Sequence, residues 1–373
     1  MGRTNDDYLG IVLRYPEENM TSESAVRSVI IKAPGNSKPD RARIVGAVGT
    51  GGFSTGVLYP IISSMSHVET KHIVSGTGSK AVGAARQFNF ERAGTSMEEM
   101  LADKKITSVI IATPHNLHAE QVIMALAAGK DVFVEKPLAT TSLELDAILE
   151  AYKNNDGNLM VGLNRRFSPA AIAVKKHLAQ ISEPAMFTYR INAGFIPKDH
   201  PIQDSEIGKG RIIGEVCHFV DLITYLCGSE ISSVSATGMT FKRNERLSTD
   251  NVQIQMTYKD GSVAAITYVA CGGNGLAKER VEVHSMDKSF VIDDFKTAMM
   301  YSNGKVKKLY SGSQDKGHRR EMEIFLSQGK CETDLNVALR EAVMATEATF
   351  EIDRTLRTNS KSPKIEGWRR RMP

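Results

Sequence analysis

Residues 41–62 read RARIVGAVGTGGFSTGVLYPII, and this stretch carries the pattern that decides the fold. The short apolar run Ile44–Val48 predicts a buried parallel strand, and the apolar stretch Val57–Ile62 is compatible with a helix. The glycine-rich segment between them supplies the turn. A strand, a G-x-G turn and a helix in this order are typical of a site that binds the phosphates of a dinucleotide.

The small residues of the turn each have a physical reason to be small. Gly49 permits the tight turn, Gly51 lets a pyrophosphate approach the backbone, and Ser54 lets the helix pack closely on the strand. Gly52 and Phe53 complete the segment whose N–H groups would face the phosphates at the helix N-terminus. The alternative is an ordinary strand-to-helix turn with incidental glycines, which this stretch alone does not exclude.

Downstream of the turn, strand-like and helix-like segments alternate as far as residue 163. Strands are predicted at residues 72–75, 108–112, 131–135 and 159–163, and helices at 79–88, 97–102, 118–128 and 143–153. Alternation at this spacing predicts an α/β fold, with a doubly wound parallel sheet of the Rossmann type. We assign residues 41–165 to this dinucleotide-binding domain.

Past residue 185 the strand-like segments follow one another closely. Strands are predicted at residues 186–192, 231–237, 252–258, 262–269, 281–284 and 290–292, and helices at 214–226, 321–326 and 335–357. This pattern predicts an α+β domain with a mostly antiparallel open sheet, residues 166–373, for substrate and oligomer contacts. Residues 1–40 form an arm and linker with strands at 8–15 and 28–32, and an edge strand, a lid and a dimer contact stay open for it.

Composition limits the class of protein. A chain of 373 residues has room for two domains, and 41% hydrophobic with 24% charged residues is ordinary for a globular protein. A net charge of +4 without an aromatic and basic platform argues against nucleic acid, and no apolar run is long enough to span a membrane. The four cysteines lack metal-ligand or disulfide spacing, so we expect reduced thiols, no metal site and a cytoplasmic protein.

The segment Glu135-Lys136-Pro137 follows a strand of the predicted parallel sheet. Ligands collect at the carboxyl ends of such strands, so we expect Lys136 to project towards the cofactor with Glu135 beside it. A partly desolvated lysine can donate a hydrogen bond to a substrate hydroxyl and stabilise a developing oxyanion. The alternative is an ion pair between Glu135 and Lys136 at the strand end.

Five motifs occur in order along the chain. They are Gly49-x-Gly51, Thr113-Pro114 with His118, Glu135-Lys136-Pro137, Asn164-Arg165-Arg166-Phe167, and GRIIGEVCHFVD at residues 210–221. Together they resemble the Gfo/Idh/MocA family, named for glucose-fructose oxidoreductase and inositol dehydrogenase, over about residues 41–358. The segment 192–221 looks closest to a branch whose members often form the second half of two-part oxidoreductases.

The resemblance implies a pyridine-nucleotide-dependent dehydrogenase or reductase that acts on a sugar, a nucleotide sugar or a polyol. Lys136 and His218 match the family's catalytic lysine and histidine. His218 would accept the proton of the substrate hydroxyl while Lys136 holds that oxygen. Many relatives have an aspartate four residues before the histidine, where this chain has Gly214, so the neighbouring Glu215 is expected to orient His218 or to bind a hydroxyl.

The resemblance also assigns the contacts to NAD or NADP. The residues assigned to the cofactor are Gly49, Gly51, Gly52, Phe53, Ser54, Ser75, Thr77, Lys80, Thr113, Pro114, His115, His118, Glu135, Lys136, Asn164 and Arg165. NAD selection usually needs an acid after the second strand, but Ser75, Thr77 and Lys80 stand there, which favours a 2′-phosphate and hence NADP. His115 occupies a place where relatives often have asparagine.

Substrate contacts are expected from polar side chains in or near the second domain. They are Arg166, Arg190, Asn192, Asp199, His200, Gln203 and Asp221. The alternative for the loop at residues 195–204 is a polar surface loop, and for Asp221 it is a capping or structural contact. The segment Asp315-Lys316-Gly317-His318 is interpreted as a capped helix start.

Two other classes of function fit the same motifs. A glycosidase that keeps NAD bound would oxidise the sugar only transiently. A nucleotide-sensing regulator on the same fold would need neither Lys136 nor His218. Because the open sheet of this family usually pairs between subunits, the resemblance implies a homodimer or homotetramer, with no nucleic-acid or membrane partner.

Overall fold

Residues 28–32, 43–239, 241, 248–327 and 334–358 are described by a computed structural model of the chain. The strand predicted at residues 8–15, most of the predicted linker and Cys331 lie outside these ranges. The described part of the chain forms two sheets with helices packed on them.

The first sheet has seven strands. They are β1 (Ser28–Ile30), β2 (Arg43–Val48), β3 (Val68–Val74), β4 (Arg92–Gly94), β5 (Ser108–Ile111), β6 (Asp131–Glu135) and β7 (Leu159–Gly162). Their spatial order is β1-β4-β3-β2-β5-β6-β7, with every described pair parallel except β1 and β4. The central strands β2, β5, β6 and β7 are mostly apolar because separate hydrophobic cores cover both faces of the sheet. The predicted doubly wound parallel sheet is confirmed, and residues 28–30 form an antiparallel edge strand.

The helices of this half are α1 (Tyr59–Ser63), α2 (Gly78–Gln87), α3 (Met97–Ala102), α4 (His118–Ala127) and α5 (Ser142–Lys153). A single π turn, Ser54–Leu58, leads from the glycine-rich segment into α1. The Ser96 hydroxyl accepts from the Glu99 N–H at the start of α3, and Thr141 with Glu144 forms a capping box at the start of α5. Because capping residues fix where these two helices begin, the predicted boundaries of α3 and α5 lie within one residue of the observed ones.

The second sheet has eight strands. They are β8 (Met186–Asn192), β9 (Ile231–Gly238), β10 (Asn251–Tyr258), β11 (Val263–Val269), β12 (Glu279–Ser285), β13 (Lys288–Asp293), β14 (Thr297–Ser302) and β15 (Lys305–Ser311). In the order β15-β14-β13-β12-β8-β11-β10-β9, the described neighbours are antiparallel except β8 and β11. Along β10, Ile254 and Met256 are buried while Gln253 and Gln255 are exposed, so one face of the sheet is covered and the other is open. The predicted mostly antiparallel open sheet is confirmed.

Four further helices complete the described part of the chain. They are α6 (Pro169–Leu178), α7 (Cys217–Cys227), α8 (His318–Phe325) and α9 (Leu335–Thr358), and a π turn, Ile212–Val216, precedes α7. In α9, Leu339 and Val343 pack into a core of the first sheet, whereas Ala348 and Ile352 pack into the core of the second. One helix therefore anchors both sheets. None of the helices within the described ranges is both long and apolar enough to cross a membrane.

The sequence missed four elements, for three reasons. Strand β4 has only three residues, too few to show a period. Helix α6 was not separated from the turn before it, although Ser168 caps it and Pro169 opens it. Strand β15 is the edge strand and is mostly exposed, and β14 beside it has a single buried residue, so neither shows the alternation that identified the inner strands.

Candidate active site

A cavity of about 1030 Å³ opens between the carboxyl ends of the parallel strands and the π turn before α7. Most of the residues predicted from the sequence line it. They are Gly49, Gly51, Gly52, Phe53, Ser54, Ser75, Thr77, Lys80, Thr113, Pro114, His115, Glu135, Lys136, Asn164, Arg165, Glu215 and His218. The fold thus brings the glycine turn, the strand-end lysine and the helix histidine to one site.

The glycine turn forms a cradle at one end of the cavity. Gly49 has φ +100°, and a Cβ there would lie 2.3 Å from the carbonyl oxygen of Ala112, so glycine is required. At Gly51 and Gly52 an added Cβ would meet nothing within 4 Å, which leaves the backbone open to the cavity. The Ser54 hydroxyl donates to the carbonyl oxygen of Gly51 at 3.0 Å and fixes the turn. An open backbone cradle at a helix N-terminus fits the diphosphate of a dinucleotide.

Lys136 crosses from the first half of the chain to the second. Its ammonium donates to the carbonyl oxygen of Gly214 at 2.8 Å, and the Lys136–Pro137 peptide bond is cis. The predicted alternative, an ion pair of Lys136 with Glu135, is not among the ion pairs of the described residues. Burial raises the pKa of Glu135 to about 7, against the opposing effect of Lys136.

His115 packs against Gly214. A Cβ on residue 214 would lie 2.9 Å from Cε1 of His115, so the missing side chain makes room for this ring. The Nδ1 of His115 donates to the carbonyl oxygen of Gly208 at 3.1 Å. Burial, with Lys136 nearby, lowers the pKa of His115 to about 4, so the ring is neutral at neutral pH.

His218 lies on the first turn of α7 and faces the same cavity. It is 8% exposed, and its buried Nδ1 has no hydrogen-bond partner among the residues that the structure describes. Burial lowers the pKa of His218 well below its usual value, and the positive charges of Arg165 and Lys136 add to this effect. A neutral imidazole that faces a cavity is able to accept a proton.

Glu215 lines the cavity beside His218, but its carboxylate is held by other groups. Arg211 lies 3.1 Å from it, and the Tyr268 hydroxyl donates to the same oxygen. Burial opposes ionisation, yet Arg211, Lys136 and Tyr268 outweigh it and lower the pKa of Glu215. The carboxylate is therefore ionised, and the contacts described for it do not orient His218. The expectation that it binds a hydroxyl stays a prediction.

A buried ion cluster supports the floor of the cavity. The carboxylate of Glu279 accepts from Arg165 at 2.7 Å and from Lys316 at 2.7 Å, and the Tyr189 hydroxyl also donates to it. Although burial opposes it, the cations lower the pKa of Glu279 far below its usual value. The guanidinium of Arg165 also lies 5.1 Å from the ring centroid of Phe219, which ties the 164–167 turn to α7.

Three predicted site residues are structural, and the prediction is corrected for them. Arg166 and Asp221 form a buried bidentate ion pair, which Glu341 of α9 extends, and neither side chain lines the cavity. The pair holds α7 on the 164–167 turn, so the alternative of a structural contact for Asp221 is the correct one. His118 lies beneath the site, with its ring between the carbonyl oxygens of Pro137 and Thr113.

Five other predicted substrate residues lie outside the cavity. Arg190 donates to the carbonyl oxygen of Ala277, and Asn192 donates to those of Gly273 and Leu276, so both side chains are engaged within the fold. Neither side chain lines the cavity in this arrangement, and a substrate contact of Arg190 and Asn192 stays a prediction. Asp199, His200 and Gln203 lie on the loop before α7, and Gln203 donates to Asp250. Their substrate contacts stay a prediction.

Three basic residues of the site were not predicted from the sequence. Lys278 precedes β12, and Lys316 and His318 flank Gly317 at the start of α8; all line the cavity. The segment with Lys316 and His318 was noticed as a helix start, which it is, but its proximity to the cofactor cradle was not apparent. The ring of His318 lies 5.6 Å from that of Phe53, across more than 260 residues of chain. The sequence around either residue contains no pattern that predicts this contact.

Metal chemistry has no support from the described side chains. Within the ranges that the structure describes, no group of three or more histidine, cysteine, aspartate or glutamate residues could hold a metal ion. The thiols of Cys217, Cys227 and Cys271 are free.

Two family sequence models match the chain. The model described as "Oxidoreductase family, NAD-binding Rossmann fold" (GFO_IDH_MocA) matches residues 43–163, and the model of the GFO/IDH/MocA C-terminal domain matches residues 179–291. Together the two matches span more than half of the chain.

Curated relatives match over part of their length. Levoglucosan dehydrogenase of Pseudarthrobacter phenanthrenivorans is 33% identical over 178 residues, 46% of this chain and 45% of that protein. The scyllo-inositol 2-dehydrogenase (NAD(+)) of Bacillus subtilis is 34% identical over 164 residues, 43% of this chain and 46% of that protein. The chain thus spans about half the length of these relatives.

Solved structures share the fold at low identity. An NAD-binding oxidoreductase from Klebsiella pneumoniae superposes with a TM-score of 0.75 at 18% identity, over 88% of this chain and 100% of that one. A levoglucosan dehydrogenase in complex with NADH and L-sorbose superposes with a TM-score of 0.72 at 21% identity, over 87% and 99%. At this identity the likeness establishes the fold alone, with its two sheets.

Proposed function

Because the chain belongs to the Gfo/Idh/MocA oxidoreductase family, we propose that it oxidises a hydroxyl carbon of a sugar, nucleotide sugar or polyol, or reduces the matching carbonyl, with a pyridine dinucleotide. The observation that carries the proposal is the meeting of Lys136, His218 and the glycine turn in one cavity. The names of the relatives, which are sugar and polyol dehydrogenases, support the substrate class.

Different residues of the chain would bind the cofactor, accept the proton and stabilise the developing charge. The open backbone at Gly51 and Gly52 would hold the diphosphate, with Thr113, Pro114 and Asn164 along the same wall. When bound, the dinucleotide accepts or supplies the hydride. His218 is kept neutral by burial, so it can take the proton that leaves the substrate hydroxyl. Lys136 donates to the same oxygen and stabilises the charge that develops on it.

The preference between NAD and NADP depends on the residues that would contact the 2′ position of the adenosine ribose. Ser75, Thr77 and Lys80 line the cavity where a 2′-phosphate would lie, which is the basis of the NADP prediction. The comparisons do not support that prediction, because the family is described as NAD-binding and the levoglucosan dehydrogenase complex contains NADH. We therefore propose a pyridine dinucleotide, and the ratio of NADH to NADPH affinity decides between the two.

Neither alternative class is favoured. The named relatives are dehydrogenases, not glycosidases, and a regulator would have no use for Lys136 and His218 at one cavity. The homodimer or homotetramer through the open face of the eight-stranded sheet remains a prediction. The cytoplasmic location, the domain limits and the resemblance to the branch found in two-part oxidoreductases also remain predictions. Light scattering of the purified protein tests the oligomer.

The direct test is a screen of sugars, polyols and nucleotide sugars with NAD⁺ and NADP⁺. The readout is the absorbance of the reduced nicotinamide. Steady accumulation of reduced cofactor with at least one hydroxyl substrate supports the proposal. Release of a free sugar without reduced cofactor would favour the glycosidase instead.

A further inference from the structure

The cavity around His218 is rich in positive charge. Lys136, Arg165, Lys278 and Lys316 all line it, and each is a cation at neutral pH in an ordinary setting. Their charges are close enough to His218 that Arg165, Lys136 and Lys278 all lower its pKa, after burial. If nearby carboxylates do not neutralise these four cations, the cavity around His218 favours a substrate with a negative charge.

The carboxylates at this end of the cavity are already engaged. Glu279 is shared by Arg165 and Lys316 at 2.7 Å each, so one negative charge faces two cations. Glu215 is bound by Arg211 at 3.1 Å, and Arg211 is a cation additional to the four. Both carboxylates also interact with Lys278 at longer range, and Glu215 interacts with Lys136, but each carboxylate is in direct contact with another cation. The cations of the cavity therefore outnumber the carboxylates.

Among the described residues, neither Lys136 nor Lys278 has an ion-pair partner, but the Lys136 ammonium donates to the carbonyl oxygen of Gly214, and no hydrogen bond is described for the Lys278 ammonium. Among the residues that the structure describes, no carboxylate oxygen lies within 4.0 Å of it. Its backbone is fixed, because its carbonyl oxygen accepts from the Asn192 N–H at 2.7 Å. Burial lowers the pKa of Lys278, while the more distant Glu215 and Glu279 oppose this. Because the Lys278 side chain is only partly exposed and other cations lie nearby, an anion beside its ammonium would be favourable.

Neither the cofactor nor Glu135 removes the excess. The nicotinamide ring is itself positively charged in its oxidised form, and the diphosphate is proposed to bind at the glycine turn. Glu135 lines the cavity beside Lys136, but its pKa is raised to about 7, so it offsets at most one charge. At least one cation at the substrate end is left for the substrate to neutralise.

We propose that the substrate is a sugar or polyol that carries an anionic group, a carboxylate or a phosphate, and that Lys278 binds that group. The inference rests on the proposed function, since it names the substrate class of the same cavity. An ammonium and a carboxylate or phosphate form a charge-assisted hydrogen bond, the strong kind in proteins.

The test is calorimetry on the full chain saturated with NADH. The probes are glucose, glucuronate, glucose 6-phosphate and UDP-glucose. We expect at least one anionic probe to bind tenfold or more tightly than glucose. Lys278→Met should weaken that probe by about tenfold to a hundredfold, the usual worth of a hydrogen bond to a charged group, and leave glucose unchanged. Lys307→Met, an exposed position on β15, is the matched control and should change neither.

The arms of the experiment separate the outcomes. Tight binding of glucuronate alone identifies a carboxylate, and tight binding of either phosphate compound identifies a phosphate. Equal affinity for glucose and all three anions overturns the inference, as does an equal loss for glucose and anions in Lys278→Met. Reduction of NAD⁺ and NADP⁺ is measured separately. If an anion binds through Lys278 but no compound of the substrate screen, oxidised or reduced, turns over with either cofactor, the proposed function is contradicted and the anion site still stands.

Discussion

The ammonium of Lys136 donates a hydrogen bond of 2.8 Å to the carbonyl oxygen of Gly214. Lys136 follows β6 of the parallel sheet, and Gly214 lies in the π turn that precedes α7. The bond therefore joins the two halves of the molecule at the cavity. Because Gly214 lies four residues before His218, about one helical turn, the bond also sets the lysine close to the histidine.

Lys136→Met tests the chemical role of this lysine. We expect kcat to fall about a thousandfold, because the substrate oxygen loses the donor that stabilises its developing charge. NADH affinity, measured by fluorescence, should change far less. Lys105→Met, at an exposed turn, is the control and should retain full turnover. Unchanged kcat in Lys136→Met would contradict the mechanism.

Gly214→Ala tests the contact between residue 214 and His115. The new Cβ would lie 2.9 Å from Cε1 of His115, so the ring must shift, and its hydrogen bond to the carbonyl oxygen of Gly208 would be strained. Overpacking of this kind costs about 1–3 kcal/mol of unfolding free energy, and NADH affinity should fall with it. In a His115→Ala background the stability cost should vanish. The same cost in both backgrounds would show that the strain lies elsewhere.

His72 should make stability depend on pH. It is fully buried in β3, neither ring nitrogen has a partner among the described residues, and burial lowers its pKa to about 4. The unfolded chain binds the proton first, so this contribution is complete above pH 6.5 and is lost as pH falls towards 4.

His72→Phe should flatten this slope by up to about 3 kcal/mol in denaturant unfolding measured across the same pH range. His67→Phe, at an exposed position in the preceding turn, controls for the loss of a histidine. A slope that is identical in wild type and His72→Phe would assign the acid sensitivity to other groups.

Asp221→Asn tests the correction made for the Arg166–Asp221 pair. Both side chains are buried, so removing one charge leaves Arg166 with fewer counter-ions in a dry site. We expect a loss of about 3 kcal/mol in unfolding free energy, with kcat/KM little changed. Asp353→Asn breaks the exposed pair with Arg357 and should cost less than about 1 kcal/mol. A large loss of kcat/KM without destabilisation would restore Asp221 to the substrate site.

What the sequence predicted best is what consecutive residues encode. The turn from Gly49 to Ser54 and the strand-end Glu135-Lys136 pair hold their chemistry within a few residues, and both line the cavity. His218 was found through a family motif, and the fold places it opposite them. Short apolar runs predicted the other strands of the first sheet, but not the three-residue β4.

The rest depended on long-range packing. Lys278 and Lys316 reach the cavity from the edge of a strand and the start of a helix, and nothing in their own segments distinguishes them from surface lysines. Arg166 follows Arg165 directly, yet the two side chains point to different partners, Asp221 and Glu279. A sequence shows that both are basic but not which one faces the site.

The central claim is that a pyridine dinucleotide lies on the open backbone of the glycine turn, and NADH titration of Gly51→Val tests it most directly. A side chain at this position meets no protein atom within 4 Å at its Cβ, so the fold should keep its Tm. We predict that Gly51→Val loses NADH affinity by about a hundredfold or more, while Gly56→Val, on the exposed side of the following turn, binds as wild type does. Equal NADH affinity in Gly51→Val and wild type would contradict the account.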